Sequence, residues 1–138
     1  MADPEVTPLA NVEVTEIEIT PNECPIGSEL FLAMSFSLDQ PLAAARWKIK
    51  YIVDSASQRQ ILELGETEAT DYGAGPQNMA FSVPSIDVAG IPKEVLANAG
   101  LFVASLLSGS EEVMDVNMVT QVGPRDGELI RTIFNPLF

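Results

Sequence analysis

The chain contains no histidine and a single cysteine, Cys24. Without histidine there is no Ser-His-Asp or Cys-His nucleophile pair, and the commonest metal ligand is missing. One thiol closes no intramolecular disulfide and builds no structural zinc site, so a reducing, intracellular compartment is expected. Cys24 sits beside Pro25 in a turn with no basic neighbour in sequence to activate it, and reads as a structural thiol. Basic residues are also scarce, seven Lys and Arg against twenty Asp and Glu, for a net charge of −13. Phosphate binding needs clustered cations, so nucleic acid is not expected as a direct ligand; a basic protein partner suits the charge better. No apolar run approaches the roughly 18–20 residues of a membrane span. Met1-Ala2-Asp3-Pro4-Glu5 is acidic and lacks the apolar core of a secretory signal.

Other sites of chemistry are missing as well. Tyr72-Gly73-Ala74-Gly75-Pro76 lacks the third glycine and following helix of a dinucleotide loop and reads as a turn. The stretch from Asp54 to Gln60 does not place acids at the alternating positions of a calcium loop. Carboxylate pairs such as Glu63/Glu66 and Glu111/Glu112 are what any acidic chain supplies by chance. No enzyme, metal or cofactor is expected.

What is present is alternation. From Ala45 to Val53 the residues Trp47, Ile49, Tyr51 and Val53 share one parity, while Arg46, Lys48 and Lys50 take the other. A period of two means a strand with one buried and one wet face. Three of the seven basic residues lie on that wet face. They either keep it soluble or form a local stripe that orients an acidic partner segment. Elsewhere Asn11 to Thr20 is a strand whose apolar residues change parity, which predicts a bulge near Thr15-Glu16. Leu30 to Phe36 alternates, Met79 to Val83 alternates until Pro84, and Ile61 to Ala69 holds one or two weak strands. Leu101 to Leu107 is apolar on both faces, as a central strand should be. Glu112 to Val122 alternates again, Gly123 to Gly127 reads as a break, and Glu128 to Phe138 as an apolar tail. Proline at a first helical position marks one or two helical turns over Ile91 to Ala97. Residues 1–10 read as a flexible leader and 11–138 as one domain, an all-β antiparallel sandwich with one short helical segment. Sandwiches of this kind bind through a sheet face or a sheet edge.

Several stretches match a known family in order and spacing. They are Val12-x-Val14, Asn22-Glu23-Cys24-Pro25, Trp47-Lys48-Ile49-x-Tyr51, Ala74-Gly75, Phe81, Ile91-Pro92 and Leu129-x-Arg131-x-Ile133-x-Asn135-Pro136. The chain resembles the conserved domain of the anti-silencing-function histone chaperones, which implies an immunoglobulin-like β-sandwich. In that family an acidic residue and an arginine grip a histone helix; the resemblance places Ile61 and Asp115 at those positions. The family's small apolar contacts fall at Ile52, Ala99 and Leu101, and its acidic pair for other partners falls at Ala43 and Ala44. The segment between Val122 and Glu128 is shorter than its counterpart in the family. A cation replaced by an anion at a recognition point reverses its preference. The resemblance therefore implies a non-catalytic, divergent anti-silencing-function-like subunit. It would act as scaffold or adaptor in a larger intracellular assembly, such as a ciliary axoneme. Candidate partner-binding residues are Ile52, Ile61, Ala99, Leu101 and Asp115, with Arg46, Lys48 and Lys50 as a second set. The alternative is a histone chaperone that binds a core histone dimer. Cytoplasm, cytoskeleton or cilium is the expected compartment, with the nucleus as the alternative.

Overall fold

The alternation becomes paired ladders in the computed structural model, which describes residues 10–54, 59–97 and 99–137. In chain order the strands are β1 (Val12–Thr20), β2 (Cys24–Pro25), β3 (Leu30–Leu38), β4 (Leu42–Asp54), β5 (Arg59–Glu66) and β6 (Thr70–Tyr72). Then come β7 (Gly75–Val83), the helical turn α1 (Lys93–Leu96), β8 (Ala99–Ser108), β9 (Glu111–Arg125) and β10 (Glu128–Ile133). A three-stranded sheet has the order β1-β3-β7. A seven-stranded sheet has the order β2-β10-β9-β8-β4-β5, with β6 also paired to β4. The sets β1-β3-β7 and β9-β8-β4-β5 reproduce the two layers of an immunoglobulin-type sandwich, with β10 and β2 added at one edge. All the ladders are antiparallel. No helix among the described residues is long and apolar enough to cross a membrane.

The core lies between the sheets. Trp47, Ile49, Tyr51 and Val53 of β4 are buried against Leu32, Met34 and Phe36 of β3 and the other core residues. Phe36 meets Trp47 edge-on at 5.3 Å and Tyr72 edge-on at 5.2 Å, so one ring from the small sheet wedges between two from the large one. The parity change in β1 is absorbed by a register shift between Val14 and Glu16. Ile17 is buried as a result, and Val12, Val14 and Ile19 pack on the core.

Three boundaries differ from expectation. The break expected at Gly123 to Gly127 is instead the end of β9 and a two-residue hairpin at Asp126-Gly127. Both residues have positive φ, 51° and 82°, as a type I′ turn requires. Pro124 is tolerated in the strand because β8 stops pairing at Gln121; beyond it β9 has β10 alone, so the missing N–H costs no second ladder. The apolar tail begins as β10, and the turn around Cys24 contains β2, which pairs with Arg131 and Ile130. Of the expected leader only Ala10 is among the described residues, and it is buried. Ser55 to Gln58 of the expected polar loop, and Phe138, lie outside the described residues.

Two polar side chains tie the 21–29 loop to β10. Asn22 donates from Nδ2 to the Ile133 carbonyl and accepts from the Ile133 N–H, each at 2.8 Å. Arg131 is 0% exposed and donates to the carbonyls of Ile26 (3.1 Å), Ser28 (3.0 Å), Pro21 (3.4 Å) and Glu29. Burial holds its guanidinium below the ordinary value, partly offset by Cys24, Tyr51 and Glu29.

Burial pushes the Tyr51 phenol up to about 12, opposed in part by Arg131, while its hydroxyl has no hydrogen-bond partner among the described residues. The folded state therefore prefers the neutral phenol, and its contribution is whole below pH 10, the unfolded value, and is lost as pH rises towards 12. We expect stability to fall by roughly 2–3 kcal/mol across that window, and Tyr51→Phe to flatten the fall. Urea melts at stepped alkaline pH test this; a variant with the same alkaline loss would show that another group is responsible. Tyr72 is shifted the same way by burial, opposed by the Trp47 indole, and contributes in the same direction.

Candidate functional site

Strand parity sends Arg46, Lys48, Lys50 and Ile52 to the outer face of the seven-stranded sheet, above the buried Trp47, Ile49, Tyr51 and Val53. The ladders align these side chains with neighbours on three strands. Ile52 lies between Ile61 of β5 and Leu101 of β8, and Leu101 pairs with Val119 of β9. The Phe134 N–H donates to the Val119 carbonyl at 2.8 Å and continues the row past β10. Ile61, Val119 and Phe134 are 52%, 53% and 46% exposed. Ile52 and Leu101 are half-buried between them. At the usual interstrand spacing this apolar row runs about 19 Å across the strands. Isolated exposed apolar residues need no explanation, but a line of five, three exposed and two half-buried, does.

Charge is banded beside the row. Lys50 faces Glu63 on β5 and Val103 on β8, and Val103 faces Asn117. Lys48 faces Glu66 and Ser105, and Ser105 faces Asp115. Arg46 Nη1 lies 3.9 Å from Glu66 Oε1, with the side chains 36% and 45% exposed. A pair so open to solvent contributes at most about 1 kcal/mol. The cations of β4 thus form a stripe, with the acids of β5 on one side and those of β9 beyond neutral β8 on the other. An open basin of about 570 Å³, lined by Lys48, Lys50, Glu63, Glu66, Ser105 and Glu112, lies among them. Among the described residues no group of three or more His, Cys, Asp or Glu side chains is placed to hold a metal ion.

All eight residues singled out in the sequence fall on this one face. Ile52, Ile61 and Leu101 share the apolar row. Ala99 stands one row further along, opposite Gln121, and Asp115 stands two rows away on the charged side. Val119 and Phe134 were not singled out. Their signal was an apolar residue on the mostly polar parity of β9 and another in the apolar tail, neither of which points to a neighbour on another strand. Ala43 and Ala44 are exposed at the start of β4, where the Ala44 N–H donates to Asp71 Oδ1 at 2.9 Å.

Neither protein-family models nor curated proteins returned a match to this chain. The residues of the face therefore carry the functional reading.

Proposed function

We propose that the chain is a non-catalytic protein-interaction module, a divergent anti-silencing-function-like subunit that holds its partner on the outer face of the large sheet. The observation that supports this is the solvent-facing apolar row Ile61, Ile52, Leu101, Val119 and Phe134, whose first, fourth and fifth members are exposed. It pairs apolar area with flanking charges of both signs, an arrangement that gives affinity and register together. Scaffold or adaptor in a larger intracellular assembly, of which a ciliary axoneme is one kind, is the role that fits a surface of this sort.

A histone chaperone is the second reading, favoured by the net charge of −13 and by the apolar contacts retained at Ile52 and Leu101. Asp115 stands against it, since an acid occupies the place the resemblance gives to a cation. Weak or no binding to a core histone dimer at physiological salt is expected. A sub-micromolar one-to-one complex by calorimetry would put the chaperone reading first.

For the module, Leu101→Arg places a charge in the middle of the row with no change to the buried face of β8. The expected result is at least a tenfold loss of the protein recovered by affinity purification of the intact complex, with an unchanged circular dichroism melt. Equal recovery by the folded variant would move the site off this face.

A further inference from the structure

A β-sandwich with open sheets has edges whose free N–H and C=O groups can template pairing with another chain. Most edges here are guarded. β1 carries Glu13, Glu16 and Glu18, all exposed, and a bulge between Val14 and Glu16. β5 carries Arg59, Glu63 and Glu66 and is kinked at Gly65, whose φ is 144°. β6 has three residues, and β2 has two, one of them a proline. β7 differs from all of these. It runs nine residues, Gly75–Val83, pairs with β3 along its whole length without a register shift, contains no charged residue, and has its one proline, Pro76, next to its first residue, which leaves Gln77 to Val83 free of proline. Among the described residues its far side has no strand partner.

We propose that β7 pairs antiparallel with β7 of a second copy of this chain about a two-fold axis at Met79, joining two small sheets into one of six strands. A chain of net charge −13 has few places to meet its own copy. Pairing β1 with itself would set carboxylates against carboxylates, whereas β7 offers none. The axis places Asn78 opposite Ala80 of the second copy, Gln77 opposite its Phe81 and Pro76 opposite its Ser82. The buried parity, Met79 and Phe81, stays on the core side, and exposed Asn78, Ala80 and Ser82 stay on the solvent side. Such an isologous contact closes on itself and leaves no new edge of this kind.

Charge also fixes the salt dependence. Two acidic copies repel, and salt shortens the reach of that repulsion from about 8 Å at 0.15 M to about 3 Å at 1 M. Self-association should therefore strengthen with added sodium chloride, the reverse of capture of a basic partner. The test is sedimentation velocity on the full chain from about 10 to about 500 μM at both salts, a range suited to a weak pair. It is paired with hydrogen exchange of the β7 amides. The expected result is a mass rising from 14.8 kDa towards twice that value, more readily at high salt, with β7 exchange slowing as concentration rises. Asn78→Lys with Ala80→Lys sets like charges face to face across the axis while lowering the chain's overall negative charge. It should weaken the dimer about tenfold or more. A monomer throughout, a dimer indifferent to the lysines, or protection on a strand other than β7 would each overturn the proposal. So would β7 protection that appears only when an alternating Lys-Val peptide is added, which would assign the edge to a basic partner strand. The wild-type exchange pattern decides the matter even where the double variant folds poorly.

Discussion

Arg131→Met is expected to lower stability by about 3–5 kcal/mol, because it removes a fully buried guanidinium and with it the donors for four buried or half-buried carbonyls. The carbonyls belong to Pro21, Ile26, Ser28 and Glu29, so the whole 21–29 loop loses its anchor to β10. Methionine fills much of the volume, which isolates the loss of donors from the loss of packing. Arg131→Lys should rescue little, since an ammonium lacks the planar fork that reaches several carbonyls at once. Thermal and urea unfolding read the effect, with a drop in midpoint of roughly 10–20 °C for the methionine variant. A loss under about 1 kcal/mol would mean that the loop holds itself in place without the guanidinium.

Gly100→Ala is the second large effect. A Cβ at that position would lie 2.6 Å from Tyr51 Cζ, 2.8 Å from Cε1, and closer still to the hydroxyl. The ring has little freedom to retreat, being 0% exposed and tilted against Phe102 at 4.4 Å. Forcing it aside should cost about 3 kcal/mol, the upper end of ordinary overpacking. Tyr51→Phe in the same chain removes the nearest atom and should recover part of the loss, a coupling of about 1 kcal/mol in a double-mutant cycle. Gly100 also sits between Ala99 and Leu101 on β8, so a displaced ring is expected to tilt the apolar row and weaken partner recovery as well. An alanine variant as stable as the wild type would show that the Tyr51 ring moves freely.

The strands that have one wet and one dry face were legible from the residues. β3, and β4 from Ala45 onward, alternate because each side chain answers to only one environment, and the β1 bulge was readable from its parity change. β2 was not, since two residues carry no period. The end of β9 was misplaced because glycine and proline mark turns when a strand is paired on both sides, and Pro124 is paired on one. Arg131 in a strand looks like surface until the loop that covers it is placed. The candidate face was half legible. The resemblance named Ile52, Ile61 and Leu101 separately, but their line with Val119 and Phe134 depends on four interstrand registers, and register is a tertiary property.

The tie between Arg131 and Ile26 spans 105 positions. A growing polypeptide leaving the ribosome therefore cannot seat its early turn until β10 has emerged. Closure of so long a loop is slow, so the nascent molecule passes through a stage with open β-edges, when holding factors have the most to protect.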